Sequence, residues 1–314
     1  MLGKSVEIGD YDRPIKVSSD VTWVGIHDTC SGWLSSPYLV IDGEEAVLID
    51  AGGRADFAAI MMKIMQAGIV PASIVALIYQ NHNPRLWSSL QHLEMMISKP
   101  DLKIVSDETN ILFLQPYSEL ATVVSLDQLN YQLTLSSGRT LKFIKTPFAP
   151  GAGSFMTFDI KSGVVFTGDL FSTYSCQWNL FLEFKESCRT CGSRMWNECH
   201  NFSCPLTDIL RFHREIMSSE RALKLALDRL AELPFTTIAP QHGSVISKPE
   251  DIVLVCDLLS ELKGVGVDGI IGGRSYGELG NVEPIRKRLL CGRKGLDGRG
   301  YSNGRQSRRD ALSS

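Results

Sequence analysis

The spacing of apolar and polar residues along the chain predicts strands and helices that alternate in two halves. Short apolar runs bounded by Gly, Pro, Asp or Ser predict strands, at 38–42, 46–50, 74–78, 103–106, 122–125, 132–135, 140–144, 155–160, 164–167 and 235–239. Apolar residues three and four positions apart predict helices, at 55–66, 86–97, 206–217, 220–233 and 249–262. This order favours an α/β fold with α+β layers, in which two sheets pack together with helices outside, an αββα sandwich.

The composition is that of a folded protein with a large core. The chain has 314 residues, of which 44% are hydrophobic and 21% charged, and its net charge is −3. This length allows one large domain or two ordinary ones. Because no apolar run reaches about 18 residues, we expect no transmembrane helix. Residues 1–7 lack the features of a secretory signal, so we expect a cytoplasmic protein with reduced thiols.

The C-terminal part of the chain is basic and rich in glycine. Residues 286–314 contain nine Lys or Arg against two Asp, a net charge of +7. Because this stretch has no apolar periodicity, we expect one domain over 1–265 and a flexible tail over 266–314. A basic tail can contact nucleic acid, but a solvated tail without such a role is the commoner case.

Three of the predicted strands lead into a side chain that can bind a metal ion. These side chains are His82, Asp169 and His242. Catalytic metal sites gather His and carboxylate ligands on rigid elements and keep a coordination position open to substrate. The ends of these three strands are therefore the candidate metal site.

The order and sequence of these stretches resemble the metallo-β-lactamase superfamily, and most closely its oxygen-binding di-iron branch, the flavodiiron type. The resemblance spans residues 20–262 and rests on stretches such as Tyr38-Leu39-Val40-Ile41-Asp42, Leu48-Ile49-Asp50-Ala51-Gly52, Phe166-Thr167-Gly168-Asp169-Leu170-Phe171 and Ala239-Pro240-Gln241-His242-Gly243. It implies an αββα sandwich, a dinuclear iron site at the strand ends, and dioxygen or nitric oxide as ligand. It also implies electrons supplied by a flavodoxin-like domain and, in many members, a homodimer.

The resemblance assigns the metal ligands one by one. His82 matches the first ligand of the family's His-x-Glu-x-Asp-His cluster, Asp169 matches the bridging carboxylate, and His242 matches the last histidine. Four further ligand positions carry side chains that cannot coordinate iron or zinc: Pro84, Leu86, Trp87 and Pro150. We therefore expect no full di-iron site.

The remaining candidate ligands leave two interpretations open. Two histidines and one carboxylate match in number the facial triad of mononuclear iron, so a single iron at His82, Asp169 and His242 is the first. In the family these positions serve different metals, and the second interpretation is a vestigial site. In that case Leu86 and Trp87 fill volume that metal and substrate occupy in the family.

The other acidic and histidine residues near these strands are expected to be structural. We expect Asp50 to bond nearby loop backbone. His27, His92 and His213 have no clustered partners in the sequence, so we expect surface or capping roles for them.

Five of the eight cysteines fall in one segment after Asp169: Cys176, Cys188, Cys191, Cys199 and Cys204. A CxxC pair followed by two more thiolates can hold zinc in a tetrahedral site, and iron–sulfur clusters use the same donors. Reduced structural cysteines, or a disulfide in an oxidising compartment, are the alternatives. Because the segment directly follows Asp169, we expect it at the mouth of the candidate site.

These features predict a redox- or gas-responsive metalloprotein with a cysteine-bound metal or iron–sulfur centre and without the full di-iron site. If it turns over, it would be an oxidoreductase of the flavodiiron type. No phosphate-cradling pattern follows the last predicted helix, so turnover would need a separate electron-donor protein. Two alternatives stay open: a non-enzymatic scaffold with a structural zinc, and a metal-dependent hydrolase. The hydrolase is the weaker one, because Leu86 stands where the family has its aspartate.

Overall fold

Two β-sheets pack face to face and carry helices on their outer faces, which confirms the αββα sandwich. The structure is a computed structural model, and it describes residues 10–27, 35–174, 179–186, 188 and 204–271. Within this part of the chain, no helix is long and apolar enough to cross a membrane.

The first sheet has seven strands in the described part of the chain, and they neighbour one another in chain order. They are β1 (Ile15–Lys16), β2 (Val21–Trp23), β3 (Tyr38–Asp42), β4 (Glu45–Ile49), β5 (Ile74–Ile78), β6 (Lys103–Ser106) and β7 (Thr122–Ser125). Neighbours from β1 to β4 are antiparallel, and those from β4 to β7 are parallel. Parallel neighbours need crossover connections. These hold α1 (Phe57–Gln66), α2 (Pro84–Trp87), α3 (Leu90–Ile97) and α4 (Glu108–Leu114), with 3-10 turns at Pro71–Ser73 and Gln115–Tyr117.

The second sheet is built mainly from one antiparallel meander. Its strands are β8 (Gln132–Thr134), β9 (Thr140–Lys145), β10 (Phe155–Asp159), β11 (Val164–Phe166) and β12 (Thr237–Ala239), in the spatial order β12-β11-β10-β9-β8. Strand β12 joins last and runs parallel to β11. The helices of this half are α5 (Pro205–Ile216), α6 (Glu220–Ala231), α7 (Pro249–Ser260) and α8 (Val267–Ile271).

The core has three apolar layers because side chains alternate between the two faces of each strand. Tyr38 and Val40 of β3 point into the layer between the sheets, whereas Leu39 points into the layer beneath helices α1 to α3. On β10, Phe155 lies between the sheets and Met156 lies beneath helices α5 to α7. Both sheets are therefore buried on two faces, as a four-layer sandwich requires.

Strands β1 and β2 were not predicted, and two helices of the first half also differ from the sequence expectation. The helix predicted over 86–97 is divided into α2 and α3, where the Ser89 hydroxyl donates to the Gly52 carbonyl at 2.7 Å. Helix α4 was not predicted. It begins after Asp107, whose carboxylate accepts the Thr109 N–H at 3.0 Å as an N-cap.

Residues 266–271, which the sequence analysis places in the tail, bond to the second half of the domain. Gly266 N–H donates to the Arg214 carbonyl at 2.9 Å, and the Asp268 carboxylate accepts the Glu220 N–H at 2.7 Å. The rest of the basic tail, 272–314, lies outside the described residues, so its flexibility stays a prediction.

The two sheets meet near the carboxyl ends of β5, β11 and β12. The Gln80 carbonyl, after β5, accepts the Phe155 N–H at 3.0 Å. Gln241, after β12, donates its N–H to the Gly168 carbonyl at 2.8 Å, and its own carbonyl accepts the Ser36 N–H at 2.9 Å. These backbone bonds bring the segments of the candidate metal site together from both sheets.

Candidate functional site

Asp169 and His242 lie together at the ends of β11 and β12. Because these strands are parallel neighbours, the residues that follow them emerge side by side. His242 Nε2 is 3.8 Å from Asp169 Oδ1, and both residues are buried. The backbone of His242 is held by Ser172, whose hydroxyl oxygen accepts its N–H at 3.2 Å. The structure thus unites two of the three predicted ligands.

His82, the third predicted ligand, lies elsewhere. It is exposed, and its ring packs edge-on against Trp87 and Phe113, with centroid distances of 4.8 Å and 5.0 Å. In the described parts of the chain, no group of three or more His, Cys, Asp or Glu side chains could hold a metal ion. A single iron at His82, Asp169 and His242 stays a prediction, and this arrangement supplies two of its three ligands.

Two amide side chains occupy the space beside Asp169. The Asn81 side-chain amide donates to Asp169 Oδ2, and it also donates to Gln241 Oε1 at 3.0 Å. Gln241 Nε2 donates in return to Asn81 Oδ1 at 3.3 Å. The sequence analysis missed both residues because it searched for metal ligands. Their position directly beside His82 and His242 was the available signal.

Asp50, which follows β4 of the first sheet, is the second carboxylate that faces the two amides. Asp50, Asp169, His242, Asn81 and Gln241 are together called the pocket below. Its Oδ1 accepts the Gln80 N–H at 3.1 Å, and the Gln241 side chain also hydrogen-bonds to it. This bond to the backbone agrees with the structural role that the sequence analysis expects for Asp50. Burial raises the pKa of Asp50 to about 7, with a smaller upward contribution from Asp169.

Asp169 has a similar electrostatic environment. Burial raises its pKa to about 7, against the lowering effect of the Asn81 hydrogen bond. A carboxyl group in low dielectric resists ionisation unless a cation or enough donors compensate. Near neutral pH the pocket therefore holds carboxyl groups that are partly protonated, together with the amides.

The side chains present do not fit a dinuclear metal centre. Leu86 and Trp87, at two positions that the resemblance assigns to metal ligands, are buried in the apolar layer beneath α1 to α3. One oxygen of Asp169, Oδ2, accepts an N–H from Asn81, and the other, Oδ1, faces His242 at 3.8 Å. The donor set left in the pocket is one imidazole and two carboxylates, and amides cover both carboxylates.

His213 is buried and bonds to the loop that carries Asp169. The expectation of a surface or capping role for it was wrong. Its ring is fully buried in α5. Nε2 accepts the Phe171 N–H at 2.8 Å, and Nδ1 lies 2.7 Å from the Ile209 carbonyl. These partners require a neutral ring with its proton on Nδ1. Burial lowers the pKa of His213 to about 4, which agrees with a neutral ring. The bond from the Phe171 N–H to this ring ties helix α5 to the loop that carries Asp169.

The cysteine segment is described only at its edges. Cys188 and Cys204 are partly buried, and both pack against the apolar layer that Tyr174 also contacts. The Tyr174 ring lies 6.3 Å from the His242 ring, between centroids. Cys176, Cys191 and Cys199 lie outside the described residues, so the four-thiolate centre stays a prediction.

The sequence from 34 to 243 matches the family described as ODP family beta lactamase. The chain belongs to this family. The match covers strands β3 to β12 and the strand ends that carry Asp50, Asp169 and His242. It therefore agrees with the resemblance to the flavodiiron branch of the metallo-β-lactamase superfamily.

Individual proteins similar to this ODP family chain agree with the family match. A protein of Synechocystis sp., named as diflavin flavoprotein A 2, is 25% identical over 208 residues, which are 66% of this chain and 32% of that protein. The chain thus spans about a third of the length of that relative. A solved structure of the chemotaxis sensor ODP, in a peroxy diiron species, superimposes with a TM-score of 0.64 at 21% identity, covering 82% of this chain and 98% of that chain. Rubredoxin oxygen:oxidoreductase from Desulfovibrio gigas superimposes with a TM-score of 0.62 at 18% identity, covering 79% of this chain and 61% of that one. At this identity the structural likeness concerns the fold.

Proposed function

We propose that this ODP family chain is a redox- or gas-responsive metalloprotein whose metal is bound by cysteines and not at the family's dinuclear position. The gas would be dioxygen or nitric oxide. The observation that carries the proposal is the amide cover on Asp169 and Asp50, because a metal ion that bound these carboxylates would have to displace the amides. The metal chemistry then requires another donor set, and the cysteine segment offers one.

The comparisons support the general class of this function. One structural neighbour is named as a chemotaxis sensor in a peroxy diiron species, and another as an oxygen:oxidoreductase. Both names refer to oxygen, one through a peroxy diiron species and the other through an oxygen:oxidoreductase activity. Transferring that class to this chain is an inference from family membership, and the altered ligands separate it from those proteins in detail.

The candidate centre consists of the cysteines 188, 191, 199 and 204, with Cys176 as a further donor. Thiolates favour zinc or iron–sulfur clusters over the hard metals that carboxylates bind. An iron–sulfur cluster would supply a reversible change of charge, whereas zinc would fix the fold of the segment. Cys188 and Cys204 pack against the same apolar layer as Tyr174, which contacts His242, so a change at the thiolates could reach the pocket wall.

A sensing role fits this arrangement better than turnover. Turnover would require a continuous supply of electrons, whereas reversible binding or oxidation of one centre would not. A homodimer, as the resemblance implies, would let one chain pass the response to another. A single iron at His82, Asp169 and His242 is the remaining metal proposal, and it would require His82 to leave its packing against Trp87 and Phe113.

Metal analysis of the full chain, purified without oxygen, tests this proposal. We expect iron with acid-labile sulfide and absorbance near about 400 nm, which bleaches on exposure to dioxygen or nitric oxide. Cys188→Ser should lose that metal. Cys256→Ser is the matched control, because Cys256 is a partly buried free thiol on α7, and it should keep the metal.

Other results would overturn the proposal in different ways. A Cys188→Ser variant that keeps all its metal would remove the cysteine centre. Colourless protein with one zinc and no response to either gas would favour the scaffold function. Iron that is lost in His82→Ala but kept in Cys188→Ser would assign the metal to the mononuclear site instead.

A further inference from the structure

Asn81 and Gln241 form a reciprocal amide pair across the two sheets. Asn81 follows β5 of the first sheet and Gln241 follows β12 of the second, 160 positions later in the chain. Each amide donates to the oxygen of the other, at 3.0 Å and 3.3 Å. We propose that this pair is a metal-independent lock, which joins the two sheets where the family places its metals and closes the pocket to metal ions.

The hydrogen-bonding capacity of the two NH₂ groups supports the lock. A primary amide has two N–H donors. Asn81 uses one on Gln241 and the other on Asp169, and Gln241 uses one on Asn81 and the other on Asp50. The pair and the two carboxyl groups thus form one continuous network that reaches from the first sheet to the second.

Burial makes this network costly to open. Asn81 and Gln241 are 4% and 1% exposed, so neither can exchange its partner for bulk water. A metal ion that bound Asp169 would have to displace the Asn81 amide, and the Gln241 amide would then lose its partner as well. Buried polar groups left without a hydrogen bond are strongly unfavourable. The lock therefore opposes metal binding as well as joining the sheets.

Among the residues that the structure describes, Leu86, Trp87 and His82 give a displaced Asn81 amide no replacement partner on the helical side. Leu86 and Trp87 are fully buried in the apolar layer there, and His82 points to the surface. The Asn81 side chain is held by its hydrogen bonds to Asp169 and Gln241. This inference rests on the pocket alone and does not depend on the cysteine centre.

Titration of the full chain with Mn²⁺, followed by electron paramagnetic resonance, tests closure of the pocket. Mn²⁺ prefers carboxylate and imidazole ligands over thiolates, so it reports on the pocket and not on the cysteines. We expect no saturable Mn²⁺ binding in the wild-type chain. Saturable binding that Asp169→Asn abolishes would overturn the inference, whatever metal the cysteines hold.

A double-mutant cycle in urea tests the pairing itself. Asn81→Leu and Gln241→Leu should each lower the unfolding midpoint, and the double variant should lower it by clearly less than the sum of the two. Asn110→Leu is the matched control. Asn110 is another buried amide, but it donates to Ser106 and Gly153, so its effect should add to that of Gln241→Leu. Additive effects for Asn81 and Gln241 would overturn the pairing.

A measurement on the wild-type chain covers the case in which these variants do not fold. In ¹⁵N-labelled protein, the side-chain NH₂ protons of Asn81 and Gln241 should exchange with deuterium far more slowly than those of an exposed amide such as Gln91. Exchange at the same rate as Gln91 would show that the amides are not locked and would overturn the inference.

Discussion

His213 Nε2 accepts a hydrogen bond from the Phe171 backbone N–H at 2.8 Å, and this bond ties helix α5 to the loop that carries Asp169. The imidazole can accept only while Nε2 is unprotonated. Burial agrees with this requirement, since it lowers the pKa of His213 from 6.5 to about 4. The pocket therefore depends on a histidine that must stay neutral.

The first prediction is that His213 makes the fold less stable in acid. Between pH 4 and 6.5 the unfolded chain binds a proton at this histidine and the folded chain does not, so stability rises with pH across this window. The full effect is about 3 kcal/mol at most. Asp50 and Asp169, whose pKa values are raised to about 7, act in the opposite direction. The quantity to measure is therefore the difference in unfolding free energy between wild type and His213→Gln.

That difference should grow in favour of the wild type from pH 4 to 6.5 and then become constant. His92→Gln, a change of the same type on α3, tests whether loss of any histidine has this effect. A constant difference over the whole range would show that His213 does not titrate as its buried hydrogen bonds require.

The fold could be predicted from the sequence because its strands are nearly continuous apolar runs with clear boundaries. The run 74–78, for example, is buried on both faces of the first sheet and appears as β5 with the same limits. Helix α4 was harder, since its signal is an N-cap at Asp107 and not a long amphipathic pattern.

The site could be predicted only in part. Asp169 and His242 follow recognisable strands and lie together as expected. The amide pair could not be inferred, because hydrogen bonds between residues 160 positions apart depend on how the two sheets dock. The buried position of His213 could not be predicted for a related reason. A polar residue on a helix with charged residues is expected at the surface as long as its backbone partner on another segment is unknown.

A second prediction concerns the opposite end of the sandwich, where Arg139 joins the sheets. Its guanidinium makes a two-pronged bond to Asp159 and donates to the Ile41 carbonyl of β3 at 2.7 Å. Both charged side chains are buried. Arg139→Met should destabilise the fold by about 3–5 kcal/mol, because it leaves a buried carboxylate without its cation. Unfolding in urea measures this loss.

Lys161 is the matched control for Arg139. It pairs with Asp20 and Asp42 in the same charge cluster, but half of its side chain is exposed. Exposed ion pairs contribute about 0–1 kcal/mol, so Lys161→Met should have a small effect. Equal losses for the two variants would mean that burial does not distinguish these pairs.

A third prediction concerns Glu94, which organises the loop before β7. This buried carboxylate accepts the N–H groups of Glu119, Leu120 and Ala121, and it also accepts the Ser118 hydroxyl. Glu94→Gln replaces an acceptor by an NH₂ group that faces donors, and it should cost about 1–3 kcal/mol. Glu119→Gln is the control, since the Glu119 side chain meets only Gln91 on the surface. A Glu94→Gln chain as stable as that control in thermal unfolding would contradict this account of the loop.

The last prediction tests whether Trp87 is a core residue at a position that the resemblance assigns to a metal ligand. Trp87 and Phe113 both pack edge-on against His82, but Trp87 is 1% exposed and Phe113 is 54% exposed. Trp87→Ala should destabilise the fold by about 3–5 kcal/mol, because it empties volume in the layer beneath α1 to α3. Phe113→Ala, which removes a ring from the other side of the same histidine, should change stability by about 1 kcal/mol or less. If Trp87→Ala were as mild as Phe113→Ala in urea unfolding, the indole would not be filling this apolar layer, and the hypothesis that Leu86 and Trp87 exclude a metal there would lose its physical basis.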